Sequence, residues 1–388
     1  MTDDTLAGPL IAAESTMPAV AVTWRWIPVR ATPKLLRSVR WAAVAGWASA
    51  LAIEIHFDGV PFDRESLIVW IGTGLLAATI GVRPMWTVLV DWLPFALVLL
   101  GYDFLRGISD NVGMPTWWTP QLNVDKFLFG GAEPTVWLQE HLKYAHGQWW
   151  DVVVCVTYIS FFLLPYVLAG VLWLRSRTEF RRWAARFVSL SFLGFMVFVL
   201  LPSAPPWAAA RCSAAQVSGH PANPACMSVG SPKQPGGGLL AAMTVHQPGA
   251  LPYIERLSGR GWPALHLTAA KALIEKGQAV SNLVAAVPSL HAGGTLLVAI
   301  FLWRRVRVGW KAVLVAYNLV MAFALVYSAE HYVSDILAGW LCAVIVSVAF
   351  NRLERWRAGG ATGLRRRTPE GAVDTLGPPT PTEAVMET

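Results

Sequence analysis

The sequence predicts an all-α integral membrane protein of about eight transmembrane helices, and three observations carry that prediction. Of its 388 residues, 55% are hydrophobic and 14% charged, less polar surface than a soluble domain of this size needs. Long stretches are nearly free of charge. There is none from Ala312 to Ala329, and from Asp151 to Leu174 only the first residue is charged. Each stretch is long enough to cross a bilayer core of about 30 Å at roughly 1.5 Å per residue. The chain also holds 20 tryptophans, whose apolar ring and polar N–H both find partners at the membrane–water boundary. The pairs Trp117-Trp118 and Trp149-Trp150 are expected there.

In chain order the spans are expected at 38–56, 66–82, 86–102, 149–174, 187–204, 283–303, 312–329 and 332–351. Pro288 is expected at the start of the sixth, where its missing N–H costs little. Residues 1–23 lack a basic start followed by an apolar run, so the first span is expected to act as the insertion signal. The organisation is then a disordered cytoplasmic segment at 1–35, N-terminal helices at 36–102 and an extracytoplasmic segment at 103–148. A transmembrane core follows at 149–351, interrupted by an extracytoplasmic loop at 205–282. A basic tail at 352–388, rich in Arg, Pro, Thr and Gly, is expected to be disordered.

Lys and Arg prefer the cytoplasmic side, and 21 of the 31 fall on one side of an eight-span chain. They precede the first span (Arg25 to Arg40) and include Arg83. They fill 175–186 and 304–311 and follow the last span from Arg352 to Arg367. Both termini are therefore expected in the cytoplasm of a multi-pass cell-membrane protein. The net charge of +7 is met by acidic lipid headgroups at these helix ends and calls for no nucleic acid. Oligomeric state is not legible.

The loop at 205–282 holds Cys212 and Cys226. An outer compartment permits a disulfide, but spacing does not fix its geometry, so paired and free states both stay open. Cys155 and Cys342 lie within spans and read as packing residues. Residues 262–284 read as a helix, lying on the membrane surface or packed over the spans as a lid.

Two segments carry chemistry. The first is Val287-Pro288-Ser289-Leu290-His291-Ala292-Gly293-Gly294; the second runs from Tyr327 to Gly339 and holds His331 and Asp335. In this topology both histidines stand at the outer ends of spans. Asp335 follows His331 by four residues, which on a helix places them one turn apart on one face. A carboxylate there accepts the ring N–H and fixes the tautomer, leaving the other nitrogen to attack phosphorus. Ser289 and the N–H groups around Leu290 and His291 lie at a helix start, which favours phosphate. A histidine or an Asp alone at such a position is as well explained by packing or capping; the combination points to chemistry. His141 and His146 read as loop residues, and no ligand cluster demands a metal.

The two segments resemble the second and third signatures of the type 2 phosphatidic acid phosphatase superfamily, Pro-Ser-x-His followed one helical hairpin later by His-x-x-x-Asp. They are more similar to the inositol phosphorylceramide synthase branch. Leu201-Pro202-Ser203-Ala204-Pro205-Pro206-Trp207 resembles that branch's Pro-x-x-Pro-Pro-Trp segment, and Tyr102-Asp103-Phe104-Leu105-Arg106 its Tyr-Asp-x-x-Arg segment. The likeness covers roughly 100–345. It implies a six-helix phosphatase-like catalytic core and no metal or other cofactor. It also implies His331 as nucleophile, Asp335 as its orienter and His291 as acid and base. Ser289 would hold phosphate, with Tyr102, Asp103 and Arg106 of the matching segment as further substrate-binding residues; Arg211, outside the matching segments, joins them as a cation of the outer loop.

The wider superfamily has a Lys and an Arg-Pro segment where this chain has Leu200-Leu201-Pro202, and an Arg where it has Leu325. Phosphate charge must then be met elsewhere; the candidates are Arg106 first, then Arg211, Arg256, Arg260, Lys143 and Lys233. The expected partner is a membrane lipid with a phosphate headgroup. The expected activity is transfer of a phosphorylated headgroup, such as phosphoinositol, to an alcohol through a phosphohistidine on the extracytoplasmic face. The alternatives are a lipid or polyprenyl phosphate phosphatase using the same histidines, and a transporter or structural membrane protein that has lost catalysis.

Overall fold

The computed structural model describes residues 32–365 apart from 58–60, 62–63, 109–112, 229–236, 241 and 266–282. Among the described residues the protein is helical: α1 (Pro33–Phe57), α2 (Arg64–Thr79), α3 (Trp86–Ile108), α4 (Pro120–Leu128), α5 (Pro134–Leu142), α6 (Trp149–Arg175), α7 (Arg177–Leu200), the single turn α8 (Pro206–Ala209), α9 (Leu290–Leu302), α10 (Val308–Tyr327) and α11 (Val333–Arg365). No strand forms among them, only isolated bridges from Ser203 to Trp117 and to Ala285.

Each expected span falls on a helix, but not all of those helices are of crossing length. Among the described residues four are long and apolar enough to cross a membrane: α6, α7, α10 and α11 as far as Ala358. Residues 65–79, 86–102 and Leu290–Leu302 are shorter apolar helices. The sixth expected span, 283–303, becomes helical only at Leu290. The reason is local pairing: Ser203 N–H donates to Val284 O at 2.6 Å and Ala286 N–H to Ser203 O at 3.1 Å, holding 284–286 extended. Pro288 therefore precedes the helix, joined to Val287 by a cis bond, and Ser289 is the N-cap. At the other end α11 runs on to Arg365, so 352–365 is helical where a disordered tail was expected. Glu354 there meets Arg186 at 2.9 Å, which ties the extension to α7. The expected helix at 262–284 lies almost wholly outside the described residues; Trp262–Leu265 form one 3-10 turn.

Helix α9 packs against α6, α7, α10 and α11. Small residues let it approach them, as they do where helix faces must mesh without a solvent-driven force. A Cβ on Gly339 of α11 would stand 2.1 Å from Ser289 O, and one on Gly293 of α9 would stand 2.7 Å from Gly339 O. These helices cross backbone to backbone. Large aromatics fill the space around them, with Trp173 and Trp183 fully buried in the main core.

The tryptophan pairs divide. Trp149 is 73% exposed and Trp117 also faces outward. Their neighbours turn in: Trp118 Nε1–H donates to Pro221 O at 3.1 Å and Trp150 Nε1–H to Leu142 O at 3.2 Å. Each pair therefore contributes one outward ring and one packing ring.

The basic helix ends gather at one end of the bundle. Asp91 of α3 binds Arg177 and, at 2.8 Å, Arg181. Glu179 binds Arg182 at 2.7 Å and also Arg305, which follows α9. His291 and His331 lie at the opposite ends of α9 and α11.

Candidate active site

His331 stands two residues before α11 rather than within it. Its position is set by how α10 ends. Ser328 caps that helix, Ala329 takes the left-handed conformation with φ 60°, and Glu330 N–H reaches back to Leu325 O at 3.0 Å while Ala329 N–H reaches Val326 O at 3.1 Å. This is the paired-bond helix stop that glycine usually serves; alanine pays about 1 kcal/mol for the conformation. The fully buried Ala329 is held in place, since its carbonyl accepts Trp207 N–H at 3.0 Å.

Two acceptors face one nitrogen of the His331 ring. Nδ1 is 3.0 Å from Ala286 O and 3.5 Å from Asp335 Oδ2. Neither a carbonyl nor a carboxylate donates, so Nδ1 carries a proton, and in the neutral ring Nε2 keeps the lone pair. The sequence spacing pointed to Asp335 alone; the nearer acceptor is Ala286, just ahead of the other histidine segment. Asp335, fully buried, also accepts Tyr332 N–H at 2.9 Å. It reaches His331 as a cap at the helix start, not across a helical turn.

A residue the motif reading missed holds the same helix start. Asp125 of α4 accepts Val333 N–H at 2.8 Å and Ser334 N–H at 2.9 Å. Burial pushes its carboxyl above the ordinary value, while those two N–H groups pull the other way. The positive end of α11 is thus met by two buried carboxylates. The first turn of α9 contains no acidic residue and is capped by Ser289, whose hydroxyl accepts Ala292 N–H at 3.4 Å. Ser289 is fully buried, and its own N–H donates to Asp335 O at 2.9 Å. The α9 end of this pair thus keeps a positive dipole for an anion.

His291, on the first turn of α9, lies among aromatic rings of α6. Its ring centroid is 4.7 Å from Tyr158, stacked, and 4.2 Å from Phe161. The two histidine rings are 5.7 Å apart. The 202–207 segment stitches their neighbourhoods together: Ser203 pairs with 284–286 and its Oγ accepts Val287 N–H at 2.9 Å, while Trp207 binds Ala329.

The candidate cations separate by what they already touch. Lys143 is fully buried and held by Tyr253 O and, at 3.3 Å, by Glu255. Arg260 binds Tyr144 O and lies 3.7 Å from Asp151. Both tie the loop to α5 and α6. Arg256 forms a two-pronged pair with Glu330, 2.7 Å at each contact, and lies over Trp207 at 5.0 Å. Arg211 lies over the same indole at 5.5 Å. Tyr102 packs edge-on against Phe192 and Phe195 of α7. Lys233 and the side chains of Asp103 and Arg106 lie outside the described residues. Cys212 and Cys226 are bonded, with Cα atoms 5.4 Å apart, which decides the alternative the spacing left open. Cys155 and Cys342 are free and buried.

No solved structure matches this chain. It is 25% identical over 262 residues, covering 66% of its length and 74% of the other protein, to a phosphoinositol dihydroceramide synthase of Bacteroides thetaiotaomicron. The family model described as the PAP2 superfamily matches residues 124–349, well over half of the chain and a stretch that holds both histidines, Asp335 and Asp125: the chain belongs to the PAP2 superfamily.

Proposed function

We propose that this protein is a membrane lipid phosphotransferase that moves a phosphorylated headgroup, phosphoinositol or one like it, from a donor lipid to an acceptor alcohol. The observation that carries the reading is the facing pair of histidines, 5.7 Å apart, with Nδ1 of one held by two acceptors. His331 Nε2 attacks phosphorus, and the bond from phosphorus to the donor lipid's oxygen breaks. His291 protonates that leaving oxygen. In the second half His291 takes the proton of the acceptor hydroxyl, whose oxygen attacks phosphorus and breaks the P–N bond. Asp335 and Ala286 keep the proton on Nδ1, and Ser289 with the first turn of α9 faces the phosphate oxygens.

Two facts favour transfer over hydrolysis. The superfamily's motif cations are replaced by Leu200, Leu201 and Leu325, as in the synthase branch, and the relative from Bacteroides is named a synthase. The topology we propose has eight spans around a six-helix core. Both termini are cytoplasmic and the histidines extracytoplasmic, because the basic helix ends gather opposite them.

The test is a trapping assay on purified protein with phosphatidylinositol labelled in both phosphate and inositol. Covalent label that carries inositol in the wild type and is absent in His331→Ala is expected. Label without inositol would replace this reading with a phosphatase. Transfer at the wild-type rate by His331→Ala would remove the nucleophile from the mechanism.

A further inference from the structure

The superfamily's motif cations are absent, and the structure puts apolar atoms in one of their places. Leu325 is fully buried in a cluster with Tyr158, Ala292 and Ile336. A guanidinium nevertheless reaches this neighbourhood from the long loop. Arg256 stands beside the Tyr158 hydroxyl, and the Tyr158 ring stacks on His291. Glu330, the neighbour of His331, grips Arg256 through both carboxylate oxygens and takes a third bond from Ser258 at 2.6 Å. Burial works against the Arg256 charge, but Glu330 outweighs it and raises its pKa. Arg256 is therefore a fixed cation whose own charge is locally balanced.

Arg211 differs. It is half-buried, and among the described residues its guanidinium makes no hydrogen bond or ion pair; its contact is the face of Trp207. Burial and the nearby Arg256 charge both lower its pKa, with Glu255 opposing. The next residue, Cys212, is fully buried and bonded to Cys226, and Arg211 N–H is held by Ala208 O at 3.0 Å. The chain spends a disulfide and a helical turn on keeping one cation beside another in a partly dry place. Such an arrangement costs free energy until an anion arrives.

We infer that Arg211 and Arg256, which both lie over the Trp207 indole, form the seat for the substrate's phosphate, replacing the cations the motifs lack. Arg211 is the arm that meets the phosphate oxygens; Arg256, anchored on Glu330, places positive charge between that arm and the two histidines. The ligand class is a phosphate ester or diester anion, and the inference rests on the phosphotransfer reading above.

The experiment is a titration of the full-length protein in detergent with inorganic phosphate, read by thermal shift and by 31P line broadening. A charge-assisted contact of this kind contributes about 1.5–3 kcal/mol, so Arg211→Gln should weaken phosphate binding about 10- to 100-fold. Arg211→Lys should recover part of it, which also shows that the loop folds. Phosphate binding by Arg211→Gln equal to wild type, or no phosphate binding by the wild type, overturns the seat. The titration reads binding without turnover, so its outcome is independent of whether His331 proves to be the nucleophile.

Discussion

The two ends of the helix bundle treat arginine differently. At the basic end five arginines meet carboxylates: Arg177 and Arg181 share Asp91, Arg182 and Arg305 share Glu179, and Arg186 reaches Glu354. At the histidine end Arg256 has Glu330, while Arg211 has an indole face and another guanidinium for company. Charge at the first end is used to hold helices together. At the second it is left partly unspent, which is how a protein readies itself for an anionic ligand. Helix starts repeat the contrast at close range: α11 is met by Asp125 and Asp335, α9 by a serine.

The sharpest way to break this contrast is to part α9 from α11. Gly339→Val sets a side chain against Ser289 O, where even a Cβ would lie at 2.1 Å, and a backbone atom held on both sides does not yield. Overpacking of this kind costs about 1–3 kcal/mol or more. Melting of the detergent-solubilised variant should fall, with transfer lost. Wild-type melting and activity together would mean that the crossing does not position the site.

Asp125 gives the next effect. Asp125→Ala strips two N–H groups of their acceptor at the start of α11, the helix behind the proposed nucleophile, a capping loss of about 1–2 kcal/mol. Because Asp125 touches α11 and not the proposed phosphate seat, kcat should drop while phosphate affinity holds. The reverse pattern would make it a binding residue. Its pH signature has a definite sign. The folded carboxyl titrates above the ordinary value, so between the two values the native chain holds more protons than the unfolded one. This group alone makes stability fall as pH rises through that window. Asp125→Asn should flatten that slope, measured as melting temperature against pH.

The smallest effect belongs to the basic end. Glu354→Gln removes a partner of Arg186 and Arg182, but the carboxylate is a third exposed, and pairs of that kind contribute about 1 kcal/mol or less. A slight loss of stability with unaltered phosphate binding is expected. A large change in transfer rate would show the two ends to be coupled.

Much of this architecture is written in local patterns. Uncharged runs mark α6 and α10 because a backbone in hydrocarbon must satisfy its own hydrogen bonds, and a helix does so wherever side chains permit. Pro-Ser-Leu-His and His-Tyr-Val-Ser-Asp are contiguous, so their chemistry is legible at sight. The errors arise where a distant segment intervenes. Residues 284–286 look like the start of a span, yet Ser203 draws them into extended pairing. His331 and Asp335 look like one helical face, yet the stop at Ala329 leaves His331 ahead of the helix.

By itself, then, the sequence determined the helical membrane class, the charge asymmetry and the two histidine segments, all of which follow from solvation and spacing within a few turns of chain. Tertiary structure alone decided that Ala286 holds the His331 ring, that Asp125 holds its helix and that Arg211 and Arg256 meet on Trp207. Each of these joins segments far apart in the chain through irregular loops. Such loops have no periodicity to read, and a side chain's partner there is set by the path the whole chain takes.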